Sequence, residues 1–167
     1  KFEVTNTEYA AFLNAVAKRD RYQLYDSRMA GEHGGIRRSG RSGDYSYETK
    51  EDSANKPVGY VTWESCSRYA NWLSNGAGEA DLQNGSYQLK GGLQPKVTLP
   101  DHMALAVGKS TQWVIASENE WYKAAYHDPV KPGGTGYWSY AVSGGSPPPG
   151  NINSNQISAA GAFKAAS

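Results

Sequence analysis

At 167 residues the chain is long enough to bury a core, and one domain is the natural reading. Hydrophobic residues are 38% and aromatics 12%, with 12 Tyr and 5 Trp, while 19 Gly and 8 Pro add loop, so the composition reads as a loop-rich, aromatic-rich α+β domain. A net charge of +1 argues against a dedicated nucleic-acid surface, the single cysteine rules out an intrachain disulfide and a cysteine-built metal site, and no apolar run approaches the ~20 residues that span a membrane.

In chain order, Phe2–Val4 reads as a short strand. Thr5 with Glu8 three residues later is a capping box that starts a helix. The core face of that helix is Tyr9, Phe12, Leu13 and Val16 at i, i+3, i+4 and i+7. Residues 20–53 are polar and rich in Gly and Tyr. Arg37, Arg38 and Arg41 form a small basic cluster there, either an anion or acidic-peptide contact or a solvated loop. Tyr45 and Tyr47 alternate with polar residues, which predicts a short strand.

Lys56–Val61 reads as a buried strand with Pro57 near its start, where it removes no ladder bond. Thr62 caps the next helix, Cys66, Tyr69, Ala70 and Leu73 share its core face, and Asn75-Gly76 stops it. Cys66 at helical core spacing reads as a packed small hydrophobe. Residues 77–112 form a variable insert, with a short strand at 85–89, a turn at Gly91-Gly92 and a helical turn over 100–107.

Residues 113–129 read as a short buried strand, a turn and a helix, and as the segment around which the fold is organised. Ser117 and Glu120 make a second capping box, and Glu118 and Glu120 complement the helix dipole. Trp121, Ala124 and Ala125 fall on the predicted core face, and Pro129 ends the helix. Trp63, Trp72, Trp113 and Trp121 are expected inside, with their indole N–H groups paired. A loop over 133–150 follows, carrying Tyr137, Trp138 and Tyr140, and Pro147–Pro149 suggests polyproline II.

Three blocks in this order resemble the formylglycine-generating enzyme family, also called the sulfatase-modifying factors. The first is KFEVTNTEYAAFLNAVA, with Asn6 in its Val-Thr-Asn step. The second is the segment from Pro57 to Leu73, with Trp63, Asn71 and Trp72. The third is the segment from Ser117 to Ala125, with Ser117, Glu118, Glu120 and Trp121, preceded by Val114-Ile115-Ala116 where the enzymes have Arg-Leu-Pro. The resemblance implies the loop-rich α+β formylglycine-generating-enzyme fold, a C-type-lectin-like variant, incomplete at the C-terminus. The chain starts at Lys1 without Met and ends at Ser167, and the expectation is one domain over 1–167, cut at both ends from a longer, bacterial protein.

The resembling enzymes are oxidoreductases for protein modification. They use a cysteine pair that binds Cu(I) to oxidise a substrate cysteine to formylglycine. That pair follows a GN-x-WEW motif absent from these residues, so no catalytic residue transfers, and copper is implied only if a further C-terminal part carries the pair. For a hard cation, Asn151, Asn153 and Asn155 alternate in the most oxygen-rich stretch. The resemblance implies a structural Ca²⁺ on Asn151 and the Ile152 carbonyl, although no Asp or Glu follows Asp128 to complete it. The alternative function is a non-catalytic ligand-binding or surface module, presenting Tyr137, Trp138 and Tyr140 to a polypeptide or carbohydrate. The compartment stays open, with an extracytoplasmic or secreted one preferred.

Overall fold

Thr5 opens the first helix as its sequence predicts. In the computed structural model its hydroxyl accepts from the Glu8 N–H at 3.3 Å, and the Glu8 carboxylate accepts from the Thr5 N–H at 2.8 Å. Two of the four orphan donors of the first turn are thereby satisfied, and the Asn6 and Thr7 N–H groups donate to Lys56 O and Ala54 O. The structure describes residues 3–102, 112–131, 133–134, 136–139 and 162–163. They fall into two units, one of Lys1–Ile115 with Ala159–Ser167 and one of Ala116–Ser158.

In the first unit, helix α1 (Asn6–Val16) buries Tyr9, Phe12 and Leu13 and leaves Val16 half-buried, as the spacing predicts. Strands β1 (Ile36–Ser39) and β2 (Ser46–Thr49) form an antiparallel hairpin with Ile36 opposite Thr49. Helix α2 (Trp63–Ser74) is capped by Thr62, whose hydroxyl accepts from the Ser65 N–H. Its interior face carries Cys66, Tyr69, Ala70 and Trp72. Strands β3 (Gln88–Lys90) and β4 (Lys96–Thr98) form a second hairpin inside the segment expected as an insert. Strand β5 (Val114–Ile115) pairs antiparallel with β8 (Ala162–Phe163).

The core of this unit is aromatic. Phe12 is fully buried, with Tyr9, Tyr69 and Trp72 ring centroids 5.4, 5.2 and 5.3 Å away. Tyr69 meets it edge-on at 87°, the arrangement that ring quadrupoles favour. The polar tips find partners at the edge of the cluster. Tyr9 Oη donates to Leu24 O at 2.9 Å, and Trp72 Nε1 donates to Gly78 O at 2.9 Å.

In the second unit, helix α3 (Glu118–Tyr126) starts with the predicted capping box. Ser117 Oγ accepts from the Glu120 N–H, and Glu120 Oε2 accepts from the Ser117 N–H at 2.8 Å. The helix ends at Tyr126, and the chain turns extended at β6 (His127–Asp128). Pro129 disfavours helical backbone in the residue before it, which accounts for the stop. β6 pairs antiparallel with β7 (Gly136–Tyr137).

Several expectations are corrected. Lys56–Val61 is not a strand: Thr5 and Pro57 make one isolated bridge, and Val58 N–H donates to Val4 O at 2.9 Å. Pro57 has no N–H for a ladder, and Tyr60 takes a left-handed φ of 59°, which bends the chain away. Trp63 is 41% exposed rather than inside. Helical side chains lean toward the N-terminus, and Trp63 at the first position of α2 has no preceding helical turn to lie against; the Tyr87 ring meets it edge-on at 5.7 Å. Trp113 and Trp121 are half-buried. No residue of α3 is fully buried, and Ala124 is exposed. The organising core is therefore the aromatic cluster on α1 and α2 rather than the 113–129 segment. Most of the helical turn predicted over 100–107, and Phe2 of the first predicted strand, lie outside the described residues.

Two truncations separate these roles. Phe12→Ala opens a cavity among three rings and is expected to cost about 3–5 kcal/mol, whereas Trp121→Ala, half-exposed in the wild type, costs less than half of that. Urea unfolding of the two variants checks the order. Equal losses would put the core in the wrong place.

Candidate functional site

Two of the three loop aromatics expected to meet a ligand, Tyr137 and Trp138, lie among the described residues of the second unit. Tyr137 is 44% exposed on β7, and Trp138 beside it is half-buried. Tyr140 lies outside the described residues. Tyr122, 45% exposed on α3, stacks on Tyr137 with centroids 5.1 Å apart and planes at 23°, and on Tyr126 at 4.7 Å. His127 abuts Tyr137 edge-on at 5.1 Å. The result is a ledge of stacked rings on a short helix and a two-stranded hairpin.

Fixed polar contacts hold the ledge. Trp138 N–H donates to Tyr126 O at 2.8 Å, and its indole Nε1 donates to Asp128 Oδ2 at 3.1 Å. Lys131 Nζ donates to Tyr137 O at 2.8 Å and lies 4.9 Å from the Trp138 ring centroid. A cation over an indole face is a favourable contact in its own right. Sequence reading singled out Tyr137 and Trp138 as ligand-loop candidates and did not single out Tyr122 and Tyr126, which stack beside Tyr137. Their spacing of four on one helix was the available signal, hidden because the predicted core face ran through Trp121 instead.

The block residues of the sequence comparison divide by role. Asn71 is fully buried in α2: Nδ2 donates to Leu82 O at 3.1 Å and Tyr87 O at 2.8 Å, and Oδ1 accepts from Tyr87 N–H at 2.8 Å. Asn6 similarly donates to Ser53 O and Lys56 O at 2.8 and 3.0 Å. A Cβ on Gly35 would collide with the Asn6 carboxamide, and one on Gly85 would collide with that of Asn71, so both loops need glycine at that approach. Ser117 and Glu120 form the α3 cap, Glu118 is exposed in its first turn, and Trp72 belongs to the core. These residues hold the scaffold.

The basic cluster is dispersed by strand geometry. Successive residues of β1 point to opposite faces. Arg37 lies opposite Glu48 in the register, Arg41 is exposed in the connection, and Arg38 lies 3.6 Å from Asp20 Oδ2. Burial raises the Asp20 carboxyl, against the Leu24 and Tyr25 N–H groups and Arg38, which lower it. Asp26 moves the other way, down to about 2, because Arg28 donates to it through Nε at 2.9 Å and Nη2 at 2.7 Å.

Metal and redox chemistry have a poor fit to the described residues. No three His, Cys, Asp or Glu side chains among them gather as a metal site. Cys66 is 5% exposed and burial pushes its thiol up to about 12, so it stays protonated at neutral pH and supplies no soft thiolate for Cu(I). The predicted Ca²⁺ ligands Asn151 and Ile152 lie outside the described residues.

A sulfatase-modifying factor enzyme 1-like domain model matches residues 1–166. The chain belongs to this family. The match covers all three sequence blocks and the α+β scaffold that Asn6 and Asn71 tie together. Searches of the curated proteins and of the solved structures find no significant match. No helix among the described residues is long and apolar enough to cross a membrane.

Two measurements follow. Iodoacetamide should label Cys66 of the native protein far more slowly than the urea-unfolded chain, read by intact mass; equal rates would mean an accessible thiol. In an NMR carboxyl titration Asp26 should have its midpoint near 2 and Asp20 above 3.8. Asp26 thus adds stability that is complete above its unfolded value and is lost as pH falls toward 2. Asp20 has the opposite sign, favouring the fold when protonated and losing that contribution as pH rises through its folded value. Coincident midpoints would remove both placements.

Proposed function

We propose that these 167 residues are a polypeptide-binding segment of a sulfatase-modifying-factor-type domain and do not contain its redox centre. The family's reaction acts on a cysteine within a polypeptide, so a surface for an extended chain suits it. The observation that carries the reading is the stacked, exposed Tyr122–Tyr137 pair flanked by the fixed Trp138 indole. Aromatic side chains with a polar rim are the usual anchors of protein recognition. The buried, protonated Cys66 supports the second half of the reading, since cysteine oxidation in this family needs a reactive pair. A carbohydrate ligand is less well supported, because Tyr122 stacks on both Tyr137 and Tyr126 and His127 lies against Tyr137, which reduces the open ring face.

The test uses a fluorescent peptide bearing one cysteine, followed by anisotropy and mass spectrometry. Binding is expected, with Tyr137→Ala and Tyr122→Ala each about tenfold weaker by the usual cost of an aromatic anchor. No aldehyde is expected on the peptide when this chain is incubated with Cu(I) and oxygen. Aldehyde formation would show that the redox centre lies within these residues. Displacement of the peptide by an oligosaccharide would assign the ledge to sugars instead.

A further inference from the structure

A second feature lies in the first unit. A cavity of about 400 Å³ is lined by polar and aromatic side chains from the segment after α1 and from the β1–β2 hairpin. Arg38 projects into it between two tyrosines, its guanidinium carbon 4.3 Å from the Tyr45 centroid and 4.7 Å from the Tyr25 centroid. Such a sandwich fixes the plane of the guanidinium. Asp20, its side chain 5% exposed, lies 3.6 Å away, too far for a hydrogen bond. Apart from a side-chain contact with the Tyr47 hydroxyl, the Arg38 donors meet no acceptor at hydrogen-bond distance among the described residues. A guanidinium offers five N–H donors in a rigid fork, so most of them remain available here.

The backbone of the rim supports a site rather than a simple hairpin brace. Asp20 and Gln23 both line the cavity with left-handed φ values of 46° and 51°, a costly conformation for residues other than glycine. Asp20 is held there by accepting from the Leu24 N–H at 2.7 Å and the Tyr25 N–H at 3.3 Å. Charge also points one way. Among the lining charges Arg19 and Arg38 balance Asp20 and Asp26, but Asp26 is committed to Arg28 outside the lining and Arg19 on the rim makes no ion pair among the described residues, so the charge left unpaired is positive.

We propose that this cavity is a carboxylate-binding site, in which the in-plane edge of Arg38 takes the carboxylate as a bidentate pair and Arg19 adds charge from the rim. A planar fork matches a planar carboxylate, and the nearby Asp20 disfavours a dianion such as phosphate. The carboxylate comes either from a small acid or from an acidic side chain. The site does not depend on the polypeptide reading of the aromatic ledge, which belongs to the other unit.

Calorimetric titration of the full-length protein tests it with four probes: acetate, N-acetyl-aspartate N-methylamide, the asparagine analogue of the latter, and inorganic phosphate. The expected result is binding of the blocked aspartate and not of the asparagine analogue. Arg38→Lys, which keeps the charge and loses the fork, should bind about tenfold more weakly. Arg19→Met sits outside the tyrosine sandwich and serves where Arg38→Lys fails to fold; it should weaken binding and flatten its salt dependence. Acetate binding as tightly as the blocked aspartate assigns the site to small acids. Equal binding of the asparagine analogue, tighter binding of phosphate, no binding of either carboxylate, or no change in the variants overturns the proposal.

Discussion

A loop-rich domain must find partners for backbone groups that no helix or sheet satisfies. Here two buried carboxamides supply them. Asn71 and Asn6 each stand on a helix and hold carbonyls of a distant loop, residues 82–87 in one case and 53–56 in the other. An unpaired buried peptide group costs about 1–3 kcal/mol, so each carboxamide answers for several kcal/mol of otherwise unfavourable loop burial. Gly35 and Gly85 let the chain come close enough for this. Asn71 is satisfied at both ends, whereas Asn6 Oδ1 has no hydrogen-bond partner among the described residues, so Asn71 is the more completely used of the two.

The aromatic cluster depends on that arrangement. With the loops pinned, α1 and α2 can close on Phe12, and the tyrosine and tryptophan tips reach loop carbonyls such as Leu24 O and Gly78 O. Hydrophobic content of 38% is low, but large rings bury much area per residue, which lets few apolar positions build a core. Cys66 sits within this packing. Its place in the core and its protonated state have the same cause, and both separate it from the chemistry of the family's cysteine pair.

The surfaces that remain outside the core have different characters. The ledge around Tyr137 is aromatic and built from short-range contacts between α3 and a two-stranded hairpin. The cavity around Arg38 is ionic and depends on a hairpin folding against the segment after α1. Family membership accounts for the scaffold under both; Tyr122 of the ledge lies within the third sequence block, whereas the residues lining the cavity around Arg38 lie outside all three.

Local signals decided much of the architecture in advance. The capping boxes at Thr5–Glu8 and Ser117–Glu120, the Asn75-Gly76 stop and the core face of α1 were legible because each arises from residues within one or two turns. The family blocks were legible for the same reason, being contiguous. Exposure was not. Trp63 and Trp121 have the composition and spacing of core residues, yet whether another layer covers them depends on distant chain. Lys56–Val61 has the look of a strand, but a ladder needs a partner edge, and Pro57 and Tyr60 leave only a bridge. Arg38 reads as one charge among three, and only the tertiary packing of Tyr25, Tyr45 and Asp20 around it gives it a fixed plane and a cavity. Sequence by itself determined where helices begin, where they end and which family they belong to, because those follow from short-range hydrogen bonding and contiguous pattern. Tertiary structure alone decided what is covered, what is exposed and which charges meet, because burial and pairing are set by residues far apart in the chain.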